Sequence, residues 1–217
     1  MRRNIPLYLA LAALVACGSD SSTEPSVFNI NPGTPTFWSL VGFATPSYTL
    51  GIDHKTVHSG GGALAIVSID SSPQLFRGVG QFILADQYRG KRVRLSGWVR
   101  HVNLVASDAG LWMRVDGNFT TLSFDNFSTR SLKGTSDWHE IEVILDVPTD
   151  AIGIAFGVLL SGRGELLADD LALQVVPATG PTTNLLTGPT STTFDAATFY
   201  STNVGPRSIA NMGFESQ

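Results

Sequence analysis

The stretch Trp138-His139-Glu140-Ile141-Glu142-Val143-Ile144-Leu145-Asp146-Val147 decides the fold class. Successive side chains of a strand point to opposite faces, so Ile141, Val143, Leu145 and Val147 fall on one side and Glu140, Glu142 and Asp146 on the other. That alternation predicts a strand with one face in a core and the other in water. The next apolar run, Gly153-Ile154-Ala155-Phe156-Gly157-Val158-Leu159-Leu160, has no polar side. It predicts a central strand, with small residues where another backbone approaches closely.

Outward from this pair, short alternating segments recur at 37–41, 47–53, 63–69, 77–85, 92–101, 110–116 and 165–176. Between them lie His58-Ser59-Gly60-Gly61-Gly62, Arg89-Gly90, Asp116-Gly117-Asn118, Pro148-Thr149-Asp150 and Ser161-Gly162-Arg163-Gly164. Glycine and asparagine accept positive φ and proline presets φ, so these are turns with a mechanism. Many short strands with turn signals between them predict an all-β, jelly-roll sandwich of two antiparallel sheets spanning 27–176. From Pro177 the composition shifts to proline, threonine, serine and glycine, which predicts a linker or loosely docked tail over 177–217, with 194–200 as one extra strand.

Charged residues make up only 15% of the 217 residues and the net charge is −4. A nucleic-acid binder carries a basic surplus, so this balance argues for a chain without a nucleic-acid partner. Cys17, the single cysteine, closes an apolar run that follows Arg2 and Arg3. Residues 1–16 therefore read as an export signal, too short and too broken by Pro6 to span a bilayer. Leu14-Val15-Ala16-Cys17 resembles the lipobox of bacterial lipoproteins, which implies cleavage before Cys17 and acylation of its sulfur. The small, polar residues 17–26 fit a flexible tether. Gly18 directly after the cysteine implies passage to the outer membrane of the cell envelope.

Two longer stretches carry a second resemblance: Tyr88-Arg89-Gly90-Lys91-Arg92-Val93-Arg94-Leu95-Ser96-Gly97-Trp98-Val99-Arg100, and Gly110-Leu111-Trp112-Met113-Arg114-Val115-Asp116-Gly117 with Phe124-Asp125-Asn126. Lys133 to Trp138, the run from Ile154 to Gly162, and Ala168-Asp169-Asp170-Leu171 continue it. Together, over about 28–176, they resemble the jelly-roll accessory domain beside erythromycin-esterase-like and S41-type peptidase domains. They are more distantly similar to galactose-binding-like carbohydrate-binding modules. The resemblance implies a binding module for glycan, with Trp98 and Trp112 as ring platforms and Arg100, Arg114 and Asp116 bonding hydroxyls. It also implies a structural calcium ion at Asp169 and Asp170, although the glutamate expected near Asn31 is missing. Asn211-Met212-Gly213-Phe214-Glu215 resembles the stretch that opens copies of this domain; a truncated second unit and a chance match are both open readings.

The basic strand with Arg89, Lys91, Arg92, Arg94 and Arg100 reads either as a contact for anionic polysaccharide or lipid head groups, or as a solvated strand face that guards against edge pairing. His54 and His58 stand four apart, but Val57 and the glycines that follow put them on strand and turn rather than on one helix face. No Gly-X-Ser-X-Gly elbow, His-Glu-X-X-His pair or phosphate-cradling loop is present in the sequence. The expectation is a lipid-anchored, non-catalytic module that displays a carbohydrate-binding sandwich on the cell envelope, or one that docks an envelope protein and binds no sugar. It needs no cofactor beyond the calcium ion.

Overall fold

The computed structural model describes residues 30–43, 47–203 and 209–215; Cys17, with the signal and tether assigned to 1–26, lies outside the described residues. Ten strands and one helix follow in order: β1 Ile30–Pro32, β2 Ser39–Gly42, β3 Tyr48–Asp53, β4 Ala63–Ser68, β5 Arg77–Leu84, β6 Lys91–Gly117, β7 Thr120–Asp125, β8 Gly134–Val147, β9 Gly153–Val176, β10 Thr190–Ser191 and α1 Ala196–Asn203. Every pairing between them is antiparallel.

Two strands organise the rest. β6 and β9 run side by side from Arg92↔Val176 to Asp116↔Gly153, with register shifts at Val102/Val105 and Ala106/Asp108. On one side of these shifts β6 pairs with β8 and β9 with β4; on the other, β6 pairs with β7 and β9 with β5. The two strands thus pass together from one sheet into the other. The first sheet runs β1-β3-β4-β9-β6-β8 and the second β2-β5-β9-β6-β7-β10. Bulges bend a strand and increase its twist, which is what this crossing requires. Gly162 and Gly164 hold φ of 131° and 124° there, and a Cβ on either would lie under 3 Å from the backbone of β6. Each of the two strands was expected as two separate pieces, 92–101 with 110–116 and 153–160 with 165–176, because the bulged residues between them break the alternation.

The sheets enclose one core. Val93 and Leu95 lie beside Leu145 and Val143 on the first sheet and, with Val99, share the core with Leu111, Met113 and Val115 of the second, with Ile154, Phe156, Val158 and Leu160 alongside. The period of two seen in the sequence is therefore the period of burial. β9 is central, as its lack of a polar side implied.

The segment from Pro177 is not a loose tail. Thr183 donates its N–H to the Ile144 carbonyl and Leu185 to that of Phe124, and β10 pairs with β7. The segment 194–200, expected as a strand, mostly forms α1, which rests on the second sheet through Phe82–Phe199 contact. Phe214 lies 0% exposed in the core, stacked at 5.0 Å on Trp38.

Candidate functional site

β6 places both tryptophans on outward faces, as the alternation implied, since Leu111, Met113 and Val115 are buried between Trp112 and its neighbours while Val93, Leu95 and Val99 are buried around Trp98. Because β6 changes sheets between them, the outward face of Trp98 belongs to the first sheet and that of Trp112 to the second. The two rings sit on opposite sides of the sandwich and do not make one platform.

The Trp112 side is closed. Trp112 is 8% exposed, packs with Ala155, Leu159, Val41, Phe76 and Phe82, and donates its indole N–H to the Val79 carbonyl at 3.3 Å. Gly80 leaves room for the ring, which a Cβ would meet at 2.8 Å. Arg114 is bidentate to Asp116 at 2.7 and 3.2 Å and lies 5.1 Å from the Phe194 ring. Asp116 is 0% exposed and also accepts the Tyr200 hydroxyl at 2.7 Å. Burial, and then the neighbouring Asp116 charge, raises the Tyr200 pKa, so the phenol stays protonated and remains a donor. Trp112 is therefore packed under Val41, Phe76 and Phe82, and Arg114 and Asp116 hold Phe194 and Tyr200, which corrects their assignment as ligand groups.

The Trp98 side is half open. His58 stacks on Trp98 at 4.0 Å and 12°, and Trp138 meets His58 edge-on at 5.7 Å. His58 keeps 27% of its side chain exposed. Arg100 lies 3.4 Å from the well-exposed Asp137. Across β8, Arg94 pairs with Glu140 and Glu142, and Arg92 is bidentate to Asp146. That bond to Arg92 is the main reason the Asp146 pKa falls. The basic row of β6 is thus matched by an acidic row on β8, so it is no open cationic stripe.

Behind His58 stand Asp169 and Asp170. Asp169 accepts the N–H groups of His58 (2.9 Å) and Ser59 (3.1 Å) on one oxygen and that of Asp170 (2.7 Å) on the other. Burial raises the Asp169 pKa, with these three N–H donors pulling the other way. Asp170 takes His58 Nδ1 at 2.7 Å and the Ser59 hydroxyl at 2.8 Å. A carboxylate only accepts, so Nδ1 carries the proton. With all four oxygens engaged by protein donors, the pair as it stands does not fit a calcium ion, which wants six to eight oxygens. Among the described residues no group of three His, Cys, Asp or Glu is set to hold a metal. Ser59, Asp170 and His58 also depart from a catalytic triad. The serine proton is given to the carboxylate, not to the imidazole.

His58 and Trp138 were not singled out as ligand groups. The signal available was the glycine-rich turn after His58, which lets a loop fold back onto a sheet face, but nothing in the spacing told which face.

No protein-family signature matches this chain. A Bacillus subtilis protein named as an uncharacterized HTH-type transcriptional regulator, YbfP, is 38% identical over 151 residues, which is 68% of this chain and 50% of the relative. The chain thus spans half the length of that relative. A cyclase from Fischerella sp. superposes with a TM-score of 0.50 at 13% identity, over 74% of this chain and 93% of its own. The xylan-binding CBM22-1 domain of Paenibacillus barcinonensis Xyn10C follows at 0.46 and 15% identity, over 68% and 90%. These likenesses concern the fold alone, an antiparallel β-sandwich. The match to YbfP corrects two expectations. It points to regulation of transcription rather than to a lipid-anchored module that displays a glycan-binding or protein-docking sandwich, and it removes the exclusion of nucleic acid as a partner.

Proposed function

We propose that this sandwich is the signal-sensing part of a DNA-binding regulatory system, and that it binds a planar, anionic small molecule on the open face of the first sheet. The observation that carries the reading is the YbfP match taken with the fold. That match is more than twice as long as the chain outside Ile30–Val176, so most of it falls on the sandwich. A helix-turn-helix needs two packed helices, and the described residues contain one α-helix of eight residues. What the two proteins share is then a domain beside the DNA reader, and we assign contact with DNA to the part of the relative that this chain does not span.

The face suits such a ligand. Trp98 and Trp138 offer π surface next to Arg100, whose ion pair with exposed Asp137 is of the weak, solvent-screened kind that an anion can replace. We also assign the sandwich no covalent chemistry, since Ser59 and His58 both spend their protons on Asp170.

The test is a chimera in which these residues replace the matching half of YbfP. DNA selected by that regulator should still be bound, and a compound that quenches Trp98 fluorescence should change the DNA affinity. A set of quenching compounds that all leave DNA affinity untouched would overturn sensing. Envelope location through an acylated Cys17 is a separate proposal resting on Leu14-Val15-Ala16-Cys17. It predicts acyl labelling of the full chain that disappears in Cys17→Ser; an unlabelled parent chain refutes it.

A further inference from the structure

The segment Asn211-Met212-Gly213-Phe214-Glu215 sits in the sandwich as a ligand sits in a site. Its one backbone bond to itself runs from Phe214 N–H to the Asn211 carbonyl. Its other bonds go to residues at least 40 positions away. The Trp38 indole donates to the Asn211 carbonyl at 3.0 Å, and the Leu171 N–H to that of Met212 at 2.9 Å. The Asn211 amide reaches the Thr36 carbonyl at 3.2 Å. The Gln81 amide clasps the Ala210 backbone from both ends, donating to its carbonyl and accepting its N–H. A buried, 6% exposed glutamine facing a backbone N–H and C=O is matched to a peptide strand.

Two features give this slot sequence preference. Phe214 fills an aromatic pocket, stacked on Trp38 with the Phe156 ring edge-on to the same indole. Glu215 lies over the Gly60-Gly61 turn, where the Gly61 N–H meets both carboxylate oxygens at 3.1 and 2.8 Å. Gly60, at φ 61°, makes the approach available, because a Cβ there would fall 1.7 Å from the carboxylate. A Cβ on Gly213 would lie 3.7 Å from Asp170, an ordinary van der Waals contact.

We propose that the slot is a peptide-binding site for the pattern Asn-X-Gly-Phe-Glu, with residues 211–215 as its resident, exchangeable occupant. Neither the slot nor its occupant depends on the sensing role proposed above. The two are nonetheless linked in space. The turn that holds Glu215 carries His58 at its start, and His58 covers Trp98. Emptying the slot removes the Glu215 bonds to that turn, while Asp169 and Asp170 still hold His58.

The experiment uses the full chain with a protease site inserted between Asn203 and Ile209. After cutting, a fluorescein-labelled peptide of residues 209–217 is added and its anisotropy followed. Saturable exchange is expected. A Phe214→Ala peptide should bind about 100-fold more weakly, the loss of a buried phenylalanine. Gly60→Ala in the cut chain should weaken the parent peptide about tenfold while leaving a Glu215→Ala peptide unchanged, the signature of direct coupling. Failure of the cut segment to exchange over days, equal binding of parent and Phe214→Ala peptides, or a cut chain that unfolds and is not restored by peptide would each overturn the proposal. DNA affinity enters none of these readouts, so the sensing reading stands or falls separately.

Discussion

The outward faces of the two sheets are built from the same two strands, yet one is sealed and the other half open. On the second sheet, β6 presents Trp112, Arg114 and Asp116, and Val41, Phe76, Phe82, Phe194 and Tyr200 close over them. On the first sheet, β6 presents Trp98 and Arg100, and a single loop residue, His58, lies on the indole. Side-chain type does not separate the faces, for each has a tryptophan with an arginine two residues on in β6. What separates them is cover: Val41, Phe76 and Phe82 pack on Trp112 while Phe194 and Tyr200 reach Arg114 and Asp116, and nothing comparable among the described residues covers Trp98. A tryptophan beside an arginine on a strand is a platform only where no other segment packs on it.

The contrast can be broken most severely at Trp112. Trp112→Ala should cost about 3–5 kcal/mol of stability in urea unfolding, the usual loss for a large buried ring. A cost under 1 kcal/mol would mean the second sheet is not sealed. Tyr200→Phe removes one donor from fully buried Asp116 and should cost about 1–3 kcal/mol, with α1 loosening first in hydrogen exchange. Trp98→Ala should cost only about 1 kcal/mol, comparable to the stacking it loses, while abolishing ligand quenching. An equal stability loss at Trp98 and Trp112 would erase the distinction.

The smallest effect belongs to the bend between the faces. His101, at a register shift of β6, donates its Nδ1–H to the Gly134 carbonyl, and burial lowers its pKa below the ordinary 6.5, with the Gly134 carbonyl opposing the fall and His139 adding to it. Folding thus favours the neutral ring and the unfolded chain binds more protons. Stability present near pH 7 is lost as pH falls from about 6.5 through the lower folded value. A melting temperature that drops between pH 7 and pH 5 is expected, with a shallower drop in His101→Gln.

Much of the fold was legible because burial follows the strand period. Val143, Leu145 and Val147 are buried and Glu140, Glu142 and Asp146 exposed, as their alternation implied. The inner and outer sides of β6 were equally readable from Val93, Leu95, Leu111 and Met113. The change of sheet was not, because a bulge at 102–108 leaves no periodic mark that says where a strand goes next. Trp112 was misread for that reason, and also because covering is a long-range event: Val41 and Phe76 lie far from it in sequence. Phe214 shows the same limit. Its motif was visible, but a pentapeptide does not announce which core it enters. His58 became part of the candidate site only through Asp169 and Asp170, more than 100 positions away.

The most direct test of the open and sealed faces uses the chain labelled with 5-fluorotryptophan, its four resonances assigned by single Trp→Phe changes. With a soluble gadolinium chelate, Trp98 and Trp138 should broaden while Trp112 and Trp38 stay sharp, and a quenching ligand should shift the first pair alone. Broadening of Trp112 to the same extent as Trp98, or a ligand-induced shift at Trp112 with none at Trp98, would contradict the account.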